Sequence, residues 1–303
     1  MISVKSIKLS LIIPVKDDLK SVTVLINQLK EVFSKEKVRL KILIVDDSSV
    51  MPIKQKNFEK SLDVEIIRNP YNQGHQKSII NGLVALSKFP LDGYVGILDG
   101  DGEDCPEHLV LMLEKLSQDQ SKTGVIAIRG VRYSGILFSN LYRLFRLVFL
   151  ILIGKTFGSG NFMMFRASLI REILSIPNNH LSLAASSIRY VGNLSYMRLD
   201  RGRRIAGDSK MNLTKLLDHA FSIFAVFADI ILLRILFFNT IFMLGISVGL
   251  ATLLVLRSLD RFELVAGLTT SLLLQFTTFA FFFLNFALFA LTSILVLKRI
   301  EEK

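Results

Sequence analysis

Short apolar runs and helix-spaced apolar positions alternate through the first 130 residues. Lys8–Val15 (KLSLIIPV) is an apolar run of strand length, whereas Leu19, Val22, Val24, Leu25, Leu29, Val32 and Phe33 recur at helical spacing. Further strands are predicted at Lys41–Val45, Val64–Ile67, Tyr94–Leu98 and Val125–Ile128, with helices over Gln76–Leu86 and Glu107–Leu116. Gly160–Phe165 reads as a returning strand, followed by a helix over Ala167–Ile176. Short strands separated by helices predict an α/β fold with a mostly parallel sheet covered on both faces. Sheets of that kind hold ligands at the carboxyl ends of their strands.

The pattern changes further along. Ile136–Gly154 is apolar but carries Arg143 and Arg146, and Leu213–Arg234 mixes apolar residues with Lys215, Asp218, His219, Asp229 and Arg234. Both predict amphipathic helices lying at a membrane interface, with an ordinary core-facing helix as the alternative. Ile235–Leu256 then runs without a charge between Arg234 and Arg257. At about 22 residues it would reach about 33 Å as a helix, against a hydrocarbon thickness of roughly 30 Å. Leu264–Leu297, between Glu263 and Lys298, is too long for one upright crossing and too short for two with a turn, so it predicts one long helix, tilted or extending past the bilayer. The lengths oppose a pair of buried core helices. The expected organisation is an α/β domain over 1–212 that includes an interfacial helix at 136–154, an interfacial helix over 213–234, and a two-span region over 235–303. Two crossings return the chain to its starting side. The Lys- and Arg-rich first domain and the tail Lys298–Lys303 then place both termini in the cytoplasm. Leu9–Val15 is too short for a secretory signal and leads into Lys16 and Asp17, which agrees with a cytoplasmic first domain.

The formal net charge of +11 suits either nucleic acid or an anionic membrane. No nucleic-acid motif stands out, and the two spans favour the membrane surface. Cys105 is the single cysteine, which excludes a disulfide within the chain, and its neighbour Asp104 disfavours a reactive thiolate. His75, His108, His180 and His219 lack metal-ligand spacing and read as structural.

Against this basic background, Asp99-Gly100-Asp101-Gly102-Glu103-Asp104 is a concentrated knot of acid directly after the strand at Tyr94–Leu98. Carboxylates at the rim of a sheet are hard oxygen ligands suited to Mg²⁺ or Mn²⁺ beside a substrate phosphate. Asp101 is the expected direct ligand, with Asp99 beside it and Glu103 in support. Asp104 and Glu107 fit a helix start, where acids are favoured. Asp46 and Asp47 end the second strand, so two strand ends deliver carboxylates to one rim.

The order Leu11-Ile12-Ile13-Pro14-Val15 with Asp17-Asp18, Val45-Asp46-Asp47-Ser48-Ser49, Arg68–Gly74 and Asp99-Gly100-Asp101 resembles the family 2 glycosyltransferases of GT-A fold. It is most similar to the membrane-attached branch that includes polyprenyl- and dolichyl-phosphate sugar synthases. The likeness covers about residues 8–130 and resumes at Arg201–Asn212. It implies a nucleotide-diphosphate sugar donor bound by Pro14, Asp18, Asp46, Asp47, Gly74 and Asp99. It also implies a metal on Asp99, Asp101 and Glu103, and catalysis by Asp99, Asp101 and Arg204. The implied acceptor is a polyprenyl phosphate such as undecaprenyl phosphate, gripped by Arg201, Arg204, Ser209 and Lys210, with Arg132 a further candidate. A phosphate acceptor is ionised near neutrality and needs no strong base, so one in-line attack would invert the anomeric centre. His180 and His219 would then lie near the acceptor. Relatives often carry an Asp before the Gly-Phe strand, whereas this chain has Gly160-Asn161-Phe162. The resemblance further implies an integral protein of a bacterial inner membrane, working on cell-envelope polysaccharide, with a homo-oligomer compatible but unspecified. The alternatives are a hydroxyl acceptor on another lipid or glycan, and a non-catalytic lipid-binding scaffold of the same fold.

Overall fold

The structure, a computed structural model, describes residues 7–59, 61–90, 92–129, 136–207, 213–259 and 267–301. Its strands are β1 (Ile7–Val15), β2 (Val38–Asp46), β3 (Asp63–Arg68), β4 (Tyr94–Ile97), β5 (Gly124–Arg129), β6 (Ser159–Arg166) and β7 (Leu194–Leu199). Its helices are α1 (Leu19–Ser34), α2 (His75–Ser87), α3 (Pro106–Gln118), α4 (Ile136–Ile153), α5 (Ile170–Ser175), α6 (Leu183–Tyr190), α7 (Leu213–Val226), α8 (Ala228–Ser258) and α9 (Leu268–Glu301). By internal contacts the chain divides into Met1–Arg146 with Thr156–Val226, and Leu147–Lys155 with Phe227–Lys303.

The first unit is a doubly covered sheet in the order β3-β2-β1-β4-β6-β5-β7. β6 runs antiparallel to both β4 and β5, while the other pairings are parallel. Side chains alternate across a strand, and β1 serves both faces. Leu9, Leu11, Ile13 and Val15 join the cluster built from α1 and α3 (Val22, Leu25, Leu29, Leu109, Met112). Ile12 points the other way, against α2. There Gly82 permits close approach, since a Cβ at that position would lie 2.6 Å from Ile12 Cγ2. The geometry puts the ends of β1, β2 and β4 on one rim. Because β6 is reversed, its first residues reach the same rim: Ile97 pairs with Met163, two positions beyond Asn161.

Two elements had no clear sequence signal, α6 and β7. The helix expected over Ala167–Ile176 is a 3₁₀ turn at Ala167–Leu169 followed by the short α5. The interfacial helix expected to run to Arg234 ends instead at Val226, whose carbonyl accepts from the Arg189 guanidinium. That bond satisfies one of the carbonyls a helix end leaves open. α4 buries Phe149 and Ile153 while Leu144, Leu147, Leu150 and Ile151 stay exposed.

The second unit consists mainly of α8 and α9, which pack along each other with Phe242 edge-on to Phe279 at 6.4 Å. Ala228–Leu256 and Ser271–Ser293 are long and apolar enough to cross a membrane, with mean hydropathy 2.1 and 1.9. Their most apolar windows are not buried within the protein, unlike those of a core helix. α8 begins seven residues earlier than the charge-free run, because Asp229 and Arg234 are carried inside the helix. Arg234 Nη1 lies 3.5 Å from the Ile151 carbonyl within the same unit.

Candidate active site

The loops after β1 and β2 are laced together by carboxylates. Asp17 Oδ1 accepts from Val50 N at 2.7 Å, and Asp17 N donates to Ser49 Oγ at 2.9 Å. Asp46 is wholly buried and takes the N–H groups of Ser49 (2.9 Å) and Ile53 (3.3 Å) together with Arg68 Nη1 (3.1 Å). Asp47 accepts from Asn69 Nδ2 at 2.9 Å and from the backbone N–H groups of Gln73 (2.8 Å) and Gly74 (2.9 Å). Burial raises the Asp47 carboxyl, but these three bonds and the nearby Lys16 outweigh it and hold the group below its ordinary value. Asp46 and Asp47, expected at the nucleotide, stand behind the cavity wall and are not among its lining residues. Their oxygens brace the loops, and the Gln73-Gly74 loop held by Asp47 lines the site.

The acid knot is a tight turn. Asp104 Oδ2 accepts from Asp99 N at 3.1 Å, and Asp101 Oδ1 accepts from Glu103 N at 3.0 Å. Asp104 thus braces the turn, and α3 starts at Pro106. The segment after β7 is strapped across this turn: Gly202 N donates to Glu103 O (2.9 Å) and Ile205 N to Asp101 O (3.0 Å). Gly102, at φ +82°, sits against Ile205, where a Cβ would come within 2.3 Å of Cδ1. Arg201 Nη1 meets Glu103 Oε2 at 2.5 Å. Arg204 spans two carboxylates, with Nη1 3.0 Å from Asp101 Oδ2 and Nη2 3.3 Å from Asp18 Oδ2. Asp18 also caps α1 by accepting from Ser21 N. Burial, and then the Asp99 carboxylate beside it, push the Asp101 carboxyl up despite Arg204. The Cys105 thiol is likewise raised, by burial and then Glu107, which disfavours the thiolate.

These groups surround a cavity of about 790 Å³. Pro14, Asp18, Gly74, Asp99, Asp101, Glu103, Arg201 and Arg204 all line it, so most of the sequence-derived set is brought together. Arg132, Ser209 and Lys210 lie outside the described residues. Glu103, expected as a supporting metal ligand, has its carboxylate set against Arg201, and among the described residues no three acidic, His or Cys side chains converge. Asp99 and Asp101 fit a cation nonetheless. They are like-charged neighbours in a buried turn, and Mg²⁺ commonly takes one or two protein carboxylates plus substrate phosphates.

The cavity also exposes residues that the motifs did not reveal. His75 opens α2 with Nε2 3.2 Å from Asp99 Oδ1. Gln76 spans the wall, donating to Asn161 Oδ1 at 3.1 Å and accepting from Leu183 N at 3.0 Å. Lys215 lines it as well, together with His180 and His219, which the sequence placed near the acceptor. For His75, Gln76 and Lys215, helix-start position and spacing on α7 were the signals available.

A cavity at the carboxyl edge of a mostly parallel sheet, with an acidic turn at its base and an arginine strap across it, defines a nucleotide-sugar-dependent glycosyltransferase of GT-A fold. The chain matches the family model "Glycosyl transferase family 2" over residues 10–174 and belongs to that family. Among solved structures it is similar to glucosyl-3-phosphoglycerate synthase from Mycobacterium tuberculosis in complex with Mn²⁺, UDP-glucose and phosphoglyceric acid. That match has 13% identity and a TM-score of 0.53, covering 74% of this chain and 79% of the other. Mannosyl-3-phosphoglycerate synthase from Rubrobacter xylanophilus gives 16% identity and a TM-score of 0.52, covering 73% of each chain. At these identities the likeness concerns the fold. Comparison with curated proteins returned no match.

Proposed function

We propose that this glycosyltransferase moves a sugar from a nucleotide-diphosphate donor to a lipid phosphate, a polyprenyl phosphate such as undecaprenyl phosphate, with inversion and with Mg²⁺ or Mn²⁺. The observation that carries this reading is one cavity holding both an acid pair, Asp99 and Asp101, and cationic side chains from the later part of the chain, Arg201, Arg204 and Lys215. Donor and acceptor each bring a phosphate, and this lining offers separate means of holding them. The unburied apolar helices α8 and α9 support an acceptor that is itself a lipid, and a site held in a bacterial inner membrane with its α/β domain and both termini cytoplasmic.

In this reading Pro14, Asp18 and the Gln73-Gly74 loop border the nucleotide, and Asp99 and Asp101 hold the divalent cation. When bound, that cation supplies positive charge to the departing diphosphate. Arg204 ties the donor side to the acid turn through Asp18 and Asp101. Arg201, with Arg204, adds positive charge on the acceptor side. Ser209, Lys210 and Arg132 remain proposed acceptor contacts from the sequence. An acceptor phosphate arrives already ionised, so positioning, not proton removal, is the main task of the site. That agrees with Asn161, not a carboxylate, at the start of β6. The mannosyl- and glucosyl-3-phosphoglycerate synthases are named for a soluble phosphorylated acceptor, which makes such an acceptor the natural competing outcome.

The test is direct. Purified full-length protein in detergent is incubated with labelled sugar nucleotides, undecaprenyl phosphate and Mg²⁺ or Mn²⁺. A labelled, organic-extractable product that disappears with EDTA and in Asp101→Ala is expected. No lipid product from any donor, with metal present, would refute the reading.

A further inference from the structure

Helix α7 carries two unlike faces. Lys215, Asp218, His219 and Ser222, spaced by three and four residues, all line the catalytic cavity. Leu213, Leu217 and Phe221, spaced by four, are 46%, 46% and 67% exposed. At roughly 100° per residue the two sets fall on opposite sides of the helix. Ile223 and Val226 anchor its last turn in the core, and Phe227 alone separates it from the long apolar helix α8.

We propose that α7 is the acceptor wall of the site. Lys215 and His219 receive the acceptor's phosphate, and Leu213, Leu217 and Phe221 rest in the bilayer surface so that the lipid enters beside the helix. This rests on the lipid-phosphate reading above.

Charge is the first argument. Arg201 and Arg204 share the cavity with the carboxylates of Asp18, Asp101 and Glu103. A dianionic phosphate entering a cavity that also holds Asp99 needs further cationic groups, and α7 contributes a lysine and an imidazole N–H donor. The helix geometry also selects between its polar residues. Lys215 and His219 lie roughly 40° apart, while Asp218 falls on the far side of Lys215. The phosphate therefore belongs on the Lys215–His219 edge, away from the Asp218 carboxylate.

Connectivity is the second argument. A helix with one polar and one apolar face, joined through a single residue to a helix fit to cross a bilayer, suits the interfacial plane. The occupant of the Leu213–Phe221 stripe is accordingly the lipid surface. A soluble phosphate monoester would share the Lys215–His219 chemistry but not the stripe.

The full-length protein in liposomes is assayed with undecaprenyl phosphate and, separately, with 3-phosphoglycerate as a soluble phosphate monoester. Lys215→Ala is expected to raise the KM for the lipid acceptor about tenfold or more, the scale of one charge-assisted hydrogen bond, with the donor KM within twofold. Lys215→Arg should recover most of the loss, which separates phosphate binding from misfolding. Leu217→Asp should weaken use of the lipid in liposomes. If the wild type glycosylates the lipid while Lys215→Ala leaves its KM within twofold, the α7 assignment falls and the proposed function stands. If only 3-phosphoglycerate is glycosylated, and its KM rises in Lys215→Ala, the phosphate site stands and the lipid reading falls. If neither acceptor is used with any donor, both are overturned.

Discussion

Asp47→Ala tests whether the carboxylates after β2 shape the site or touch the substrate. The substitution leaves three donors without their acceptor: Asn69 Nδ2 and the backbone N–H groups of Gln73 and Gly74. Bonds to a charged acceptor contribute about 1.5–3 kcal/mol each. Asn69 keeps Ser78 as a second partner at 3.0 Å, and Gln73 and Gly74 are half-exposed, so water can reach them. The sum therefore contracts to about 3 kcal/mol of local stability. That corresponds to roughly 150-fold faster hydrogen exchange at the Gln73 and Gly74 amides, since each 1.4 kcal/mol is about a factor of ten. Exchange is followed by mass spectrometry on peptides covering residues 69–78 of the detergent-solubilised protein. The donor KM should rise with it, because the loosened loop borders the cavity. The same carboxyl gives a pH signature. It is held below its ordinary value of 3.8 in the folded protein, so the unfolded chain takes up the proton first. The stabilisation is complete above about pH 5 and is lost as the pH falls through 3.8 toward the lower folded value. Exchange in Asp47→Ala within threefold of wild type would refute the loop-anchoring role.

Gly102→Ala combines a left-handed backbone, worth about 1–2 kcal/mol, with a Cβ driven against Ile205. Turnover is expected to fall at least about tenfold, and Ile205→Ala in the same chain should restore the part due to the clash but not the part due to the backbone. Gln76→Ala removes the link between Asn161 and Leu183 N, and should cost about 1–3 kcal/mol, seen as a weaker KM for one substrate with α2 still helical by circular dichroism.

The sheet was largely legible because its strands are buried on both sides. Continuous runs such as LIIPV and KILIV announce themselves, and β1 to β5 depart from expectation only at their ends. β7 was not legible: it pairs only with β5, and Leu194–Tyr196 is half-exposed or exposed, which leaves no strong pattern. Eight-residue α6 is too short to show a period. Within the site, Asp99, Asp101 and Asp18 were readable from their strand ends. His75, Gln76 and Lys215 were not, since their approach to the cavity depends on how α2 and α7 are set against the sheet. Asp46 and Asp47 teach the converse. A carboxylate at a strand end can be taken up by backbone N–H groups of neighbouring loops, and sequence does not distinguish that from a ligand.

The strap from Arg201 to Ile205 closes the acid turn across roughly one hundred positions of chain, through bonds to Asp101 and Glu103 and through Arg204 to Asp18. All seven strands of the described residues precede it in the sequence. During synthesis, therefore, the sheet can be complete while its reaction centre is not, and the last pieces emerge only just ahead of the first long apolar helix. A chain released before the strap is made would therefore be a folded sheet whose acid turn lacks Arg201 and Arg204.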